Sequence, residues 1–223
     1  TRLNPDPRDP GFLEPVDTVT PLVRAKGYEI GMRSAPLPGL QTTLALWRLD
    51  IDSELLFVGD AGTTEASRPS RREGLEWASY YRPLPWLTID GDVAISRARF
   101  RDSDPAGKRI PGAIERVVSL GIGIDDLGPW FGGLRLRHFG PRPLIEDNSV
   151  RSDSSTLANL RVGYRLDKRT QISVDVLNLF DRKVSDIDYF YESQLRGEAA
   201  PVEDIHTHSA EPRTFRVSLR TSF

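Results

Sequence analysis

The last eleven residues of the chain alternate in polarity, and this constrains the fold more than any other feature. One phase is mainly apolar or aromatic and the other is polar: Phe215, Val217, Leu219 and Phe223 against Arg216, Ser218, Arg220 and Ser222. A period of two predicts an extended strand whose side chains point alternately to opposite sides. The apolar side then faces either lipid, as in a membrane barrel, or the core of a soluble sheet. This segment alone is compatible with both.

Composition narrows the classes of protein without deciding between these two. The chain has 223 residues, no cysteine and a formal net charge of -2. The lack of cysteine excludes disulfides and thiolate metal sites, and the charge balance gives no indication of nucleic-acid binding. No apolar run reaches the roughly 18 residues of a membrane-spanning helix. A membrane barrel is still allowed, because its half-polar strands average out in hydropathy.

The same alternation recurs upstream and predicts about nine strands. Only the segment 40–51 is ambiguous, since Trp47 and Leu49 blur its phase. The predicted connections alternate in length, with short turns at 36–39, 83–85, 125–129 and 167–169 and long polar loops at 59–70, 101–112, 140–154 and 181–212. Residues 1–21 also resemble a loop. Short turns at one end and long loops at the other are typical of outer-membrane barrels.

Charged side chains share the phase opposite the aliphatic one in these predicted strands. They are Glu29, Arg33, Glu76, Asp90, Asp92, Arg135, Arg137, Arg161, Arg165, Asp175, Arg216 and Arg220. Burying a dozen charges in a sandwich core would cost several kcal/mol for each ion. The charged phase is therefore expected to face water. Together with the loop lengths, it favours an all-β, antiparallel transmembrane barrel segment over a soluble sheet.

Two segments near the C-terminus resemble a known family. The sequence Val176-Leu-Asn-Leu-Phe-Asp-Arg-Lys183, with Asn178, Leu179, Phe180 and Asp181 at its centre, resembles the penultimate-strand motif of TonB-dependent outer-membrane receptors. The closing segment 212–223, with its final Phe223, resembles their terminal strand. The pattern of strands and loops extends the resemblance over the whole chain.

The resemblance implies that residues 1–223 are the C-terminal portion of a larger barrel domain. A complete family barrel has 22 strands and an N-terminal plug, so nine strands ending at the C-terminus would be strands 14–22, with the plug absent. The first residues, Thr1 to Pro7, lack the basic start and apolar stretch of a signal peptide. We therefore expect a fragment of a longer product, located in the outer membrane of a Gram-negative bacterium.

The resemblance also implies a transport function and a set of partners. The expected function is energised uptake of a scarce nutrient, such as an iron-siderophore complex, without catalysis and without a bound cofactor. The expected partners are outer-membrane lipid, the plug domain and the TonB complex (both through the missing N-terminal part), the barrel-assembly machinery, and a small-molecule or metal-chelate ligand. Two alternatives remain at this point: a plugless porin-like channel and a soluble all-β binding module.

Candidate contact residues follow from the predicted long loop 181–212. Tyrosine and arginine side chains there are suited to an anionic chelate, and the candidate ligand residues are Tyr189, Tyr191, Arg196, His206 and His208. Taken singly, each is equally compatible with an ordinary loop residue. The pair His206 and His208 is weak as a metal site, since two histidines in a polar loop are insufficient, and no metal site is predicted. In the terminal strand, the assembly signal is expected to comprise Phe215, Val217, Leu219 and Phe223.

Overall fold

The chain folds into antiparallel strands throughout the part that the structure describes. In the computed structural model, the described residues are 3–6, 9–15, 22–53, 55–58, 63–66 and 68–222. The strands are β1 (Leu3–Asp6), β2 (Asp9–Pro15), β3 (Ala25–Ser34), β4 (Leu40–Ile51), β5 (Leu55–Val58), β6 (Thr63–Ala66), β7 (Ser70–Leu84), β8 (Leu87–Phe100), β9 (Arg116–Leu127), β10 (Trp130–Phe139), β11 (Ser155–Arg165), β12 (Thr170–Leu177), β13 (Ser185–Ser193), β14 (Val202–Ser209) and β15 (Thr214–Thr221). The described residues include no helix with the length and hydropathy of a membrane span.

Nine of these strands form one sheet, as the alternation predicted. Its order is β15-β12-β11-β10-β9-β8-β7-β4-β3, and every neighbouring pair is antiparallel. Each strand of the sheet therefore pairs with the next one of the sheet along the chain. The outer strands β3 and β15 have one described neighbour each. The all-β fold class and the strand count are confirmed.

The connections alternate in length, so the sheet has a short-turn end and a long-loop end. The short turns follow β3, β7, β9 and β11, and the long connections follow β4, β8, β10 and β12. Three segments predicted as loops contain hairpins instead: β1 with β2, β5 with β6, and β13 with β14. The prediction of irregular structure for 1–21, 59–70 and 181–212 was wrong to that extent. Backbone pairing within each hairpin satisfies peptide groups that a structureless loop leaves to solvent.

Register places all twelve charged side chains of the predicted polar phase on one face of the sheet, the charged face. One row across the sheet runs Gln41, Tyr80, Asp90, Gly121, Arg135 and Asn159. Another ends with Arg161, Asp175 and Arg216. Because directly paired residues point to the same side, these rows fix the phase of every strand. The opposite, aliphatic face carries Ile122, Leu134 and Leu160 as direct neighbours.

The polarity of the two faces reverses near the long-loop end of β3, β4, β7 and β8. On the aliphatic face, the row Ile30, Leu46, Leu75, Ile95 is followed by the row Tyr28, Arg48, Glu73, Arg97. On the other face at this height lie Leu49, Ala98 and Phe100. Phe100 and Ala98 form a small buried cluster with Ile110. The strand β4 thus extends past the reversal, which explains why its phase is ambiguous in the sequence.

A glycine makes room for an aromatic ring near the short-turn end of the charged face. A Cβ added at Gly163 would lie 2.2 Å from the ring of Phe131, its direct partner on β10. The Arg165 guanidinium lies over the Phe131 ring, 5.0 Å from its centroid. At Gly123, by contrast, the nearest atom to an added Cβ is 3.8 Å away. Close packing against an aromatic ring therefore explains why position 163 is a glycine, whereas position 123 has space for a larger residue.

Candidate functional site: an extended hairpin at the long-loop end

The hairpin β13–β14 gathers four of the five predicted ligand residues on one of its faces. In its register Tyr189 pairs with His206, Tyr191 with Asp204, and Ile187 with His208. Paired residues share a face and residues two apart share it too. The hairpin therefore presents two tyrosines and two histidines together, a surface we call the Tyr/His face. No sequence pattern indicated this pairing, because the segment was interpreted as a loop.

Two aromatic rings of the Tyr/His face are stacked. The rings of Tyr191 and His206 lie 3.8 Å apart between centroids, with an interplanar angle of 13°. The Nε2 atom of His206 is 3.3 Å from the carbonyl oxygen of Tyr191, which accepts a hydrogen bond when that nitrogen is protonated. Both side chains are half-buried, whereas His208 is exposed. The stack and this hydrogen bond restrain the two side chains relative to each other.

The fifth predicted residue, Arg196, lies in the turn of the hairpin and is exposed. The turn is closed by Glu198, whose amide donates to the Leu195 carbonyl at 3.1 Å and whose carboxylate accepts from the Leu195 amide at 2.7 Å. Gly197 adopts a φ of 103° there. The structure places Arg196 beyond the paired part of the hairpin. Among the described residues, no three His, Asp or Glu side chains come close enough together to bind a metal ion.

A nearly buried ion pair fixes the hairpin to the neighbouring loop 140–154. The Arg142 guanidinium donates to the Asp188 carboxylate at 3.0 Å, with side-chain exposures of only 12% and 6%. It also donates to the Asp186 carbonyl at 3.2 Å. The loop side is fixed by Ser152, whose backbone amide donates to the Arg142 carbonyl. Because Asp188 lies on the hairpin face opposite Tyr189, this anchor leaves the Tyr/His face on the other side.

The motif residue Asn178 joins the ends of the hairpin connection. Its side chain is 3% exposed; its Nδ2 donates to the carbonyls of Arg182 (2.9 Å) and Glu211 (3.0 Å), and its Oδ1 accepts from the Arg182 amide (2.9 Å). Its own amide donates to the Asn159 side chain on β11. Asn178 has a φ of 49°, a conformation that asparagine tolerates better than most residues. The motif therefore has a structural role at the base of the hairpin.

The other three motif residues have distinct environments. The Leu179 amide donates to the Ala158 carbonyl at 2.7 Å, which ties the motif to β11. Asp181, with a φ of 51°, accepts from the Arg213 amide at 3.0 Å and so contacts the residue just before β15. Phe180 is 66% exposed and lies on the surface. Three of the four positions thus connect β11, β12 and β15.

The predicted assembly residues lie on the edge strand β15. Phe215, Val217 and Leu219 share the aliphatic face, and their exposed fractions are 67%, 67% and 69%. Phe223, the fourth predicted residue, lies outside the described part of the chain. In the described part of the chain, β15 is thus an edge strand with an exposed apolar face, and its role as an assembly signal stays a prediction.

Ion pairs cross the charged face between strands. Asp90 accepts from Arg135 at 3.0 Å, and Asp175 accepts from Arg161 at 2.5 Å. At the short-turn end, Arg165 pairs with Asp125. The Asp90–Arg135 pair spans β9, because Gly121 lies between the two residues in the register.

One short turn has a titratable group of its own. In the turn between β11 and β12, the amides of Arg169 and Thr170 donate to the Asp167 carboxylate at 2.7 and 2.8 Å. These amide hydrogen bonds hold the pKa of Asp167 below its usual value. The carboxylate therefore stays charged and closes the turn at neutral pH.

Comparison with known proteins identifies the sheet. A family model described as TonB dependent receptor-like, beta-barrel matches residues 16–179. The chain belongs to the TonB-dependent receptor family. Its nine-stranded sheet is a segment of such a barrel, and it is located in the outer membrane of a Gram-negative bacterium. The aliphatic face is the lipid-facing one, and the long-loop end is extracellular. Membership favours the receptor over the porin-like channel and the soluble module.

Solved structures show the same fold at low sequence identity. The ferric yersiniabactin uptake receptor FyuA from Yersinia pestis matches with a TM-score of 0.69 and 20% identity, covering 90% of this chain and 30% of that one. The ferric-catecholate import receptor Fiu from E. coli K12 matches with a TM-score of 0.67 and 22% identity, covering 99% of this chain and 32% of that one. The copper transporter OprC matches with a TM-score of 0.66 and 18% identity, covering 90% of this chain and 32% of that one. The chain thus spans about a third of the length of these structures.

Proposed function

We propose that this chain is the C-terminal part of the barrel of an energised uptake receptor whose ligand is an anionic metal chelate or a similar scarce nutrient. The proposal is supported by family membership and by the functions of the proteins with similar structures, which include ferric chelate uptake and copper transport. The remaining strands, a plug and the segment that contacts the TonB complex would belong to the rest of the protein. Such a receptor binds and moves its ligand without a catalytic step or a cofactor.

The observation that carries the ligand part of this proposal is the Tyr/His face. Phenol and imidazole groups donate hydrogen bonds to the oxygen atoms of an anionic chelate, and their rings contact its organic part. Arg196 in the exposed turn adds a positive charge at the hairpin tip. The anchor through Arg142 and Asp188 keeps the face in place at the extracellular end. Ligand capture is therefore assigned to this hairpin.

The charged face and the terminal strand suit two further partners. In the complete barrel, the ion-paired rows such as Asp90 with Arg135 would line the lumen and contact the plug. Phe215, Val217 and Leu219 would bind the barrel-assembly machinery by strand addition at the edge, together with Phe223. Deleting Phe223 from the full-length protein should lower the amount of folded, heat-modifiable barrel in the outer membrane. Normal levels would refute this role.

The ligand proposal is tested by uptake and binding in cells that express the full-length protein. Uptake of a panel of radiolabelled ferric chelates, in strains with and without TonB, is expected to identify at least one that requires both the receptor and TonB. For that chelate, the double variant Tyr191→Ala/His206→Ala should weaken binding by roughly tenfold or more, from lost ring contacts and hydrogen bonds. The variant Thr207→Ala, on the opposite face, is the matched control. Equal binding by both variants would remove the hairpin from the ligand site.

A further inference from the structure

The charged face is divided into an acidic half and a basic half. On β3, β7 and β8, its charged side chains are mainly carboxylates, namely Glu29, Glu76, Asp90 and Asp92 with Arg33. On β10, β11, β12 and β15 they are mainly arginines, namely Arg135, Arg137, Arg161, Arg165, Arg216 and Arg220 with Asp175. With Arg72 added to the first half and Asp125 to the second, the two net charges are -2 and +4. Such a division sets up an electric field across the lumen.

The arginines of the basic half are spread over the height of the sheet. From the long-loop end downwards, successive rows carry Arg137, then Arg135, then Arg161 with Arg216, and, after one row without arginine, Arg165 with Arg220. Rows on one face are two residues apart, which corresponds to roughly 5 Å of height on a tilted strand. These six side chains, which we call the arginine ladder, therefore span roughly 20 Å of the lumen wall.

Half of the arginine ladder has no carboxylate partner among the described residues. Three of its members form the ion pairs given above for the charged face. The other three, Arg137, Arg216 and Arg220, form no ion pair with any residue that the structure describes, and their side chains are exposed. The Arg137 guanidinium lies over the Phe139 ring, 4.9 Å from its centroid, which orients the group without neutralising it. These three cations are available to an anion in the lumen.

A recess in the wall adjoins the middle of the arginine ladder. Gly123 and Gly133 are direct partners on β9 and β10, and Thr88 and Arg161 flank them in the same row. A Cβ added to Gly123 would have no neighbour closer than the Thr88 Cβ, 3.8 Å away. Two adjacent positions without side chains make the wall thinner at this point. This glycine recess leaves space for a solute beside the guanidiniums of the ladder.

The arginine ladder begins at the foot of the candidate ligand hairpin. The hairpin β13–β14 connects β12 to β15, so it rises from the basic half of the sheet. Its anchor, the Arg142–Asp188 pair, involves the loop between β10 and β11, two other strands of the same half. An anion that leaves the Tyr/His face towards the lumen therefore meets this half of the wall first. Contact with the plug requires no vertical order of cations, whereas a path requires them at successive heights.

We propose that the arginine ladder and the glycine recess form a path for anions along the lumen wall, from the hairpin to the short-turn end. Guanidinium groups hold the oxygen atoms of an anion through charge-assisted hydrogen bonds. Several weak sites at successive heights let an anion enter and leave, whereas one tight site would retain it. That the passenger is a metal chelate rests on the proposed function, whereas the preference of the path for anions does not.

The preference for anions is tested with a single thiol in the recess of the full-length protein, purified in a non-ionic detergent. The variant Gly123→Cys, with any other cysteine replaced by serine, is treated with an anionic and a cationic methanethiosulfonate reagent at low ionic strength. Each rate is divided by the rate with a free thiol in solution, and heat-modifiability confirms folding. The matched charge variants are Arg137→Gln and Arg33→Gln. These two arginines lie in one row on opposite halves of the sheet, and neither has an ion pair with a described residue.

After this normalisation, the anionic reagent should react several-fold faster than the cationic one. Arg137→Gln should lower the ratio of the two rates roughly threefold, because a positive charge about 11 Å away attracts the anion and repels the cation. Arg33→Gln, about twice as distant, should change the ratio much less. Equal effects of the two variants, or a ratio of one or below, would overturn the proposal. A thiol that reacts with neither reagent would show that the plug fills the recess, with the same consequence.

Uptake of the chelate identified in the TonB-dependent assay tests the path in cells. Gly123→Leu fills the recess and Arg137→Gln removes one cation, and each should lower the uptake rate by about threefold or more. Binding at the cell surface should stay within about twofold of wild type in both variants, and Arg33→Gln should leave both quantities unchanged. Unchanged uptake by Gly123→Leu and Arg137→Gln would overturn the path. If no chelate requires the receptor, the proposed function fails, while the labelling experiment still decides the path.

Discussion

Replacing Asn178 with alanine should open the junction between β11, β12 and the start of β15. The asparagine side chain makes three hydrogen bonds, to the Arg182 amide and to the carbonyls of Arg182 and Glu211. Each such bond contributes about 1 kcal/mol net, so the loss amounts to about 3 kcal/mol. Alanine at a φ of 49° adds about 1 kcal/mol of backbone strain. The expected local cost is therefore about 4 kcal/mol.

Hydrogen exchange of the full-length protein measures this cost where it arises. The amides of Leu179, Arg182 and Arg213 are bonded within the junction, and peptides that contain them should lose roughly three powers of ten in protection, since 1.4 kcal/mol is a factor of ten. The variant Asn178→Gly removes the bonds without the strain and should lose about two powers of ten. Protection within threefold of wild type in Asn178→Ala would refute the assignment of Asn178 as the junction's main polar contact.

Three further perturbations have defined outcomes. Asp188→Ala leaves the nearly buried Arg142 without its carboxylate partner, at a cost of about 3–5 kcal/mol, and should speed proteolysis of the hairpin in intact cells. Asp186→Ala is the control, because the Asp186 side chain takes no part in the ion pair, and it should leave the proteolysis rate unchanged. Equal proteolysis rates in the two variants would contradict the anchoring role of the ion pair. Gly163→Ala places a methyl group against the Phe131 ring and should destabilise the barrel by about 1–3 kcal/mol, measured as a lower midpoint temperature of heat-modifiability. Gly123→Ala is the control: the structure has space for a Cβ at this position, so the midpoint should match that of the wild type. Asp167 has a lowered pKa, so its contribution is complete above its ordinary pKa and is lost as the pH falls through the folded value. The difference in thermal stability between wild type and Asp167→Asn should therefore be present at pH 7 and shrink in acid below pH 3.8; a difference that is constant with pH would contradict it.

Alternation predicted the nine strands because lipid on one side and water on the other impose a period of two on each strand. It failed to give a clean phase only at 40–51, where Arg48 and Asp50 occupy the lipid-facing phase. These residues lie above the apolar rows, and there the outer side of β4 is polar while its inner side carries Trp47 and Leu49. A polarity pattern that reverses within one strand has no single phase, so the sequence alone did not predict which side of 40–51 is apolar.

The hairpin β13–β14 was not predicted because neither of its faces is apolar. One face combines Tyr189 and Tyr191 with His206, and the other combines Asp188 with Phe190. The chemistry of the candidate ligand residues was visible in the sequence, whereas their common face depends on a register that polarity does not encode. Asn178 was found through a family resemblance, and its role depends on a carbonyl 33 residues further along the chain.

The central claim is that the aliphatic face contacts acyl chains while the charged face lines an aqueous interior. This chain has no cysteine, so single nitroxide labels can be placed on it in the full-length protein, reconstituted into liposomes. Labels at Ile172 and Val174 should collide mainly with oxygen dissolved in the bilayer, and labels at Ser173 and Ser218 mainly with a water-soluble nickel chelate. A label at Arg97 should be accessible to the nickel chelate. Nickel access at Ile172 and Val174 equal to that at Ser173 would contradict the account.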